Sequence, residues 1–258
     1  MALLVACAVL GLLAGSFANV VIARVPEGGS VVRPPSACPA CGSRIAARDN
    51  IPVVSWLLLR ARCRSCGEPI PARYPLVEAG TAVVFALVAW RIGPDPLLPA
   101  FLLFGWTLLV VAVIDLRTRR IPNRLTYPLT PALLVLAAGG ALVAGEPGDA
   151  LRAALGGLAG FAALLALALI SPRGMGMGDV KLAAFIGVGM GVLSWGHVVL
   201  GIFGGFVIGG LVALGLLVAR RRTRKDHVPF GPSLAAGAMA TLLVGEPLIA
   251  AYRVALGV

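Results

Sequence analysis

The 258-residue chain is 59% hydrophobic and only 13% charged, with a mean hydropathy of +0.95, a composition whose solvent is mostly lipid. Its 22 Lys and Arg against 11 Asp and Glu give a formal net charge of +11. A soluble globular enzyme is excluded. With no stacking platform or base-reading helix beside the basic residues, the charge gives no ground for a nucleic-acid partner.

Apolar stretches of about 17–25 residues mark candidate membrane helices. Eight are found, at roughly 1–23, 76–92, 97–115, 125–144, 150–171, 179–195, 197–219 and 231–252, and the sixth is short and Gly-rich. The predicted fold class is therefore an all-α polytopic membrane protein of about eight transmembrane helices. Positive residues gather in loops on the cytoplasmic side. The loops after segments one, three, five and seven hold 19 of the 22 Lys and Arg, leaving Arg91, Arg152 and Arg253 on the other side. This places both termini outside and four basic loops in the cytoplasm.

The opening Met1-Ala2-Leu3-Leu4-Val5-Ala6-Cys7 lacks the positively charged n-region of a signal peptide, so the first segment is read as an uncleaved helix. Polar Ser16 and Asn19 near its end are expected to face other helices. Residues 27–75 then replace the apolar run with Pro, Arg and Cys, enough for a small soluble insert but too short for a large core. The expected organisation is a first helix at 1–26, a cytoplasmic insert at 27–75 and a transmembrane core at 76–258.

The insert carries Cys38-Pro39-Ala40-Cys41 and, 21 residues later, Cys63-Arg64-Ser65-Cys66. Two such knuckles can set four thiolates tetrahedrally around one zinc, with Gly42 and Gly67 following to relax each turn. The alternative is a pair of disulfides or free thiols, which a reducing cytoplasm disfavours. A four-cysteine site is coordinatively closed, so the expected zinc at Cys38, Cys41, Cys63 and Cys66 folds the loop rather than catalyses.

Segment three ends at Ile114-Asp115, and segment six follows Gly174-Met175-Gly176-Met177-Gly178-Asp179-Val180-Lys181. On the predicted topology both aspartates reach the cytoplasmic membrane boundary, where a carboxylate costs free energy unless it has a partner or a task. Two neighbouring carboxylates in a poorly solvated site cannot both ionise cheaply, so the pair shares a proton. The ionised member can activate water while the protonated one polarises a peptide carbonyl. Gly176 and Gly178 permit an irregular entry to the helix and close approach of a substrate backbone, with Lys181 framing the same site. Taken singly, Asp115 is equally compatible with pairing to Arg117 or Arg119, and Asp179 with capping segment six.

The chain resembles the bacterial type IV prepilin leader peptidases, intramembrane aspartic proteases of the Gly-x-Gly-Asp type. The resemblance runs along nearly the whole sequence. It includes Gly15-Ser16-Phe17-Ala18-Asn19-Val20 with Arg24-Val25-Pro26, both cysteine knuckles, Asp49-Asn50-Ile51-Pro52-Val53-Val54-Ser55-Trp56 and Arg73-Tyr74-Pro75-Leu76-Val77-Glu78. It continues through Ile114-Asp115-Leu116-Arg117, Ile121-Pro122-Asn123, Gly176-Met177-Gly178-Asp179-Val180-Lys181-Leu182 and Val228-Pro229-Phe230-Gly231-Pro232. The resemblance implies that Asp115 and Asp179 cut the basic leader from type IV prepilins or pseudopilins at the cytoplasmic face of the inner membrane. It further implies that the chain N-methylates the new N-terminus with S-adenosylmethionine, by residues the sequence does not identify.

Other features have structural readings. Gly187, Gly189, Gly191, Gly201, Gly204, Gly205, Gly209 and Gly210 are expected to permit close helix packing. Trp56, Trp90, Trp106 and Trp195 are read as interfacial or packing aromatics. His197 is expected in an outer loop and His227 beside a basic run, neither as a metal ligand or base. A proton- or cation-coupled transporter using Asp115 and Asp179 is the alternative function.

Overall fold

The computed structural model describes residues 1–171, 174–219 and 229–256. Arg173, the basic run at 220–225, His227 and Val228 lie outside the described residues, as does the side chain of Arg253. Among the described residues the regular structure is helical: α1 (Ala2–Arg24), a 3₁₀ turn (Ala47–Asn50), α2 (Val54–Leu58), α3 (Arg73–Ile92), α4 (Leu98–Thr118), α5 (Asn123–Val143), α6 (Pro147–Ile170), α7 (Met177–Gly191), α8 (Trp195–Val218) and α9 (Gly231–Leu256). Every predicted apolar segment is a helix. Seven are long and apolar enough to cross a membrane, and α7 is not among them. At 15 residues it spans only about 22 Å, against a hydrocarbon core of about 30 Å.

The chain divides into two compact units, Met1–Trp90 and Arg91–Val258. In the first, α1 and α3 approach through two glycines four residues apart. A Cβ on Gly11 would stand 2.6 Å from Ala82 Cα, and one on Gly15 2.6 Å from Glu78 Cα. Small residues at this spacing allow backbones to close on each other in lipid, where packing replaces the hydrophobic effect. Asn19 donates to the Tyr74 carbonyl at 3.1 Å, so its polar group is met by α3 as expected. Cys7 is a buried apolar residue of α1.

In the second unit α4 is the most enclosed long helix, with 61% of its apolar window buried. Phe104 of α4 stacks on Phe185 of α7, ring centroids 5.5 Å apart and 9° between planes. Helices α6 and α7 meet glycine to backbone: a Cβ on Gly156 would lie 2.5 Å from the Gly187 carbonyl oxygen, and one on Gly160 2.5 Å from that of Ala183. Gly205 and Gly237 make the equivalent approach between α8 and α9. Gly210 departs from the expected role, since a Cβ there meets nothing within 4 Å. Gly160→Leu is therefore expected to destabilise the fold by about 1–3 kcal/mol or more, while Gly210→Ala leaves it unchanged. Thermal unfolding midpoints in detergent check both.

The short α7 is closed at its far end by Arg152 of α6. Its guanidinium donates to the carbonyls of Gly191, Val192 and Leu193 at 2.8, 2.9 and 3.0 Å, satisfying acceptors that a helix end leaves open. His197 corrects the sequence reading. It lies not in a loop but in the first turn of α8, 2% exposed, with Nδ1 2.8 Å from Ser194 Oγ and Nε2 3.5 Å from Glu246 Oε2. The hydroxyl of Ser194 also accepts from the His197 amide, capping the helix.

Candidate active site

The chain enters α7 through glycines. Gly176 is extended (φ −83°, ψ 147°), and Asp179, three residues on, reaches back so that its Oδ2 accepts from the Gly176 N–H at 3.3 Å. This is the acidic half of a capping box, and it places a carboxylate on the positive end of the helix. Asp179 is thus in the first turn, not at the cap position itself. Gly178 is small for a specific reason: a Cβ there would stand 2.9 Å from Ile121 Cβ.

Asp115 sits in the last turn of α4 and is 5% exposed. The helix continues to Thr118 and closes at Arg119, which adopts left-handed backbone (φ 53°, ψ 37°) and donates its N–H to the Asp115 carbonyl at 2.8 Å. No cation among the described residues pairs with the side chain of Asp115. Among the described residues the ion pairs join other groups, so the pairing to Arg117 or Arg119 is absent. Its Oδ2 instead accepts the N–H of Gly231, the first residue of α9, at 3.0 Å.

Ile121 links the two acids. A Cβ on Gly231 would lie 2.8 Å from Asp115 Oδ2 and 3.3 Å from Ile121 Cδ1, while the same isoleucine packs beneath Gly178. Ile121 thus packs against the residue before Asp179 and against the glycine that donates to Asp115. Three stretches distant in sequence therefore converge: the end of α4 with the 121–123 link that follows it, the start of α7 and the start of α9. Lys181 lies at the same end, its Nζ donating to Asn123 Oδ1 at 2.7 Å and standing 4.8 Å from the centre of the Tyr127 ring. Beside Asp115 opens a cavity of about 420 Å³, lined by Leu116, Arg119, Ile208, Val212, Pro229 and Pro232 among others. The arrangement sets two carboxyl groups, an amine and an apolar recess at one end of the unit.

The sequence singled out Asp115, Asp179, Gly176, Gly178 and Lys181, and the structure gathers them at one end of the second unit. It did not single out Ile121, Asn123 or Tyr127 as partners, and it left Gly231 within a turn of uncertain role. The signals were present as Ile121-Pro122-Asn123 and Phe230-Gly231-Pro232, but their contacts cross more than 50 residues of chain.

In the first unit the two knuckles are built alike. Cys38 N–H donates to Ser43 O at 2.9 Å and Gly42 N–H to Cys38 O at 2.9 Å, while Cys63 N–H donates to Glu68 O at 2.8 Å and Gly67 N–H to Cys63 O at 2.9 Å. Gly42 and Gly67 have φ of 71° and 75°, the left-handed region that glycine enters without strain. All four cysteines are free thiols, with their sulfurs within 4.8 Å of one another and Cys38 Sγ 3.8 Å from Cys66 Sγ. Disulfide pairing is thereby overturned. A tetrahedron with Zn–S of about 2.3 Å has an edge of about 3.8 Å, so the thiols fit a four-coordinate zinc. Hydrogen bonds from the Ser43 side chain and backbone hold the Cys41 thiol below its ordinary range, while desolvation and the neighbouring sulfurs push Cys66 up, as thiols crowded around one point must divide their protons. Asp49 receives Arg64 Nε and an Nη at 2.8 and 2.6 Å, tying the 3₁₀ turn to the second knuckle. The Arg64 hydrogen bond keeps Asp49 below the usual carboxylate range. Trp56 donates to the Ile70 carbonyl at 2.9 Å and so packs within the insert.

Comparison with known proteins agrees with both halves. Residues 9–92 match the family described as the bacterial peptidase A24 N-terminal domain, and residues 102–214 match the type IV leader peptidase family. Among curated relatives, a prepilin leader peptidase/N-methyltransferase of Aeromonas hydrophila is 35% identical over 93% of this chain and 90% of its own length. Proteins of the same description from Bacillus subtilis and Neisseria gonorrhoeae are 34% and 37% identical, covering 96% and 88% of this chain and 98% and 85% of their own lengths. No solved structure matches the chain significantly.

Proposed function

The chain belongs to the type IV leader peptidase family, and we propose that it removes the basic leader from type IV prepilins or pseudopilins and then N-methylates the new N-terminus. The observation that carries the reading is the convergence of the Asp115 and Asp179 segments about Ile121, with no cation among the described residues paired to Asp115. The ionised aspartate takes a proton from water as the water oxygen attacks the scissile carbonyl. Its protonated partner donates to the carbonyl oxygen, and the carbon–nitrogen bond then breaks as the leaving amine takes up a proton.

Supporting groups follow from their places. The extended backbone at Gly176 and the missing side chain at Gly178 leave room for a substrate strand, and Lys181, held by Asn123, frames the approach. The apolar recess beside Asp115 suits the hydrophobic segment that follows a prepilin leader. The four cysteines would hold a structural zinc that fixes the insert, and S-adenosylmethionine is the methyl donor the reading requires. A multi-pass protein of this kind belongs in the bacterial inner membrane, with the site on the cytoplasmic face. The transporter reading gives way to a family description that names a peptidase.

Wild-type protein reconstituted with a purified prepilin should yield a leaderless product carrying one added methyl group, read by mass spectrometry of its N-terminus. An intact prepilin in liposomes that are otherwise competent would refute the peptidase reading. Gly231→Ala supplies a separate check on positioning. Its Cβ would crowd Asp115 Oδ2, and a displaced reacting group costs about 10²-fold for each ångström. Cleavage should fall about 10–100-fold with the fold intact, and an unchanged rate would show that Gly231 does not set Asp115.

A further inference from the structure

Glu78 is an acid inside a membrane-length helix that the cleavage chemistry does not use. It sits in the second turn of α3, on the side of the insert, and α1 packs so closely there that Gly15 meets its backbone. Among the described residues it is in no ion pair. Gly15 of α1 meets it at the backbone, and Asn19, one turn on in α1, donates instead to the Tyr74 carbonyl at 3.1 Å. Its Oε2 accepts the N–H of Val53 at 2.7 Å, a bond that spans 25 residues from the insert to the helix.

Val53 is itself unusual. Its φ of 61° and ψ of −49°, with Val54 N–H donating to Pro52 O at 2.6 Å, make it the centre of a γ-turn of positive φ. Such turns are strained, and more so for a β-branched residue. Strain of this kind persists only where the surroundings over-determine it, and it concentrates at working sites. Ser55 fixes the flanks, accepting from the Ile51 N–H at 3.0 Å and donating to the Arg48 carbonyl at 2.9 Å. The insert thus presents a braced loop to a partly buried carboxylate that is in no ion pair among the described residues.

The geometry points to Glu78 as the catalytic carboxylate that receives the free α-amino terminus of the cleaved, apolar substrate for methyl transfer, an assignment that rests on the N-methyltransferase reading above. An amine arrives as ammonium, and a carboxylate with no cation of its own can both bind it and take one proton. The freed nitrogen lone pair forms the new N–C bond as the methyl carbon–sulfur bond of S-adenosylmethionine breaks. The sulfonium becomes a neutral thioether, and the proton passes from Glu78 to water. The Val53 N–H holds the carboxylate in place for this.

Glu78→Gln tests the charge while keeping an acceptor for the Val53 N–H. The variant, reconstituted with prepilin, should remove the leader at the wild-type rate and hold wild-type zinc, but methylate at least about 100-fold more slowly. Methylation within threefold of wild type would overturn the assignment. If the wild type itself delivers only unmethylated product, the methyl-transfer reading falls and this inference with it. A second measurement does not depend on turnover. A synthetic apolar peptide with a free α-amino end should bind the wild type in detergent at least about tenfold more tightly than its N-acetyl form by titration calorimetry, a preference that Glu78→Gln should lose, and equal affinities of the two peptides for wild type, or a preference kept in the variant, would also overturn the proposal.

Discussion

Asp115→Asn and Asp179→Asn should each abolish leader removal while leaving the fold intact. Asparagine has nearly the volume of aspartate and keeps an oxygen for the same backbone donor, Gly231 N–H at position 115 and Gly176 N–H at position 179. What it loses is the ability to exchange a proton. A single group of this kind contributes about 10²–10⁴-fold, and because each member sets the protonation of the other, removing either disables both. The loss should therefore be at least about 10³-fold for each substitution, with little further loss in the double variant. Helical content and unfolding midpoint in detergent serve as the structural controls. Cleavage within tenfold of wild type in either variant would remove that residue from the chemistry. Additive losses in the double variant would instead mean that the two acids act separately.

This prediction also separates chemistry from the structural readings of each acid. An aspartate that merely satisfied the start of α7 would be replaced by asparagine at almost no cost, since both are favoured near helix N-termini. An aspartate that merely paired with Arg117 or Arg119 would show an ion pair, and Asp115 has a backbone N–H instead.

The legible part of this molecule is whatever lipid imposes. Apolar runs announced eight helices within a few residues of their observed ends, seven of them long enough to span a bilayer, because each must satisfy its own backbone internally. Asp115, Asp179 and the cysteine knuckles were legible for a related reason: charge beside lipid and paired thiols in a short insert are both expensive or idle unless used. The illegible part is what crosses the chain. Nothing periodic announces that Gly231 N–H will bond to a side chain 116 residues away, or that Ile121 will fill the space vacated at both Gly178 and Gly231. Gly11 and Gly15 match a packing spacing, yet only the partner helix shows that they act at Glu78 and Ala82. The sixth run, read as short and Gly-rich, was expected to reach residue 195 because apolar Val192 and Leu193 continue it, yet α7 stops at Gly191. The cap supplied by Arg152 ends it there. His197 was misplaced for the converse reason, as a polar residue near a predicted loop that instead finds Ser194 and Glu246.

Cys38→Ser or Cys66→Ser should unfold the insert and stop methylation. The isolated bridges Ala37 to Arg44 and Arg62 to Pro69 are single pairs, and the 3₁₀ turn between the knuckles buries no residue. Such a segment has too little core to stand alone, whereas a structural zinc supplies on the order of 10 kcal/mol of folding free energy. Serine cannot offer the thiolate, so affinity should drop steeply and residues 27–72 should become sensitive to protease in the wild-type membrane helices' continued presence. The same state should be reached in unaltered protein by a strong chelator, and reversed by added zinc. Protons compete for the four sulfurs, so metal should be retained above the thiol range and released as pH falls through it. The loop Ile51 to Ser55 hangs between the knuckles and Glu78, so its collapse withdraws the Val53 amide and with it the braced carboxylate. Protease patterns, bound zinc and N-methylation should therefore fail together. A cysteine variant that binds no metal yet keeps an ordered insert and full methylation would show that the thiols are not what holds this region.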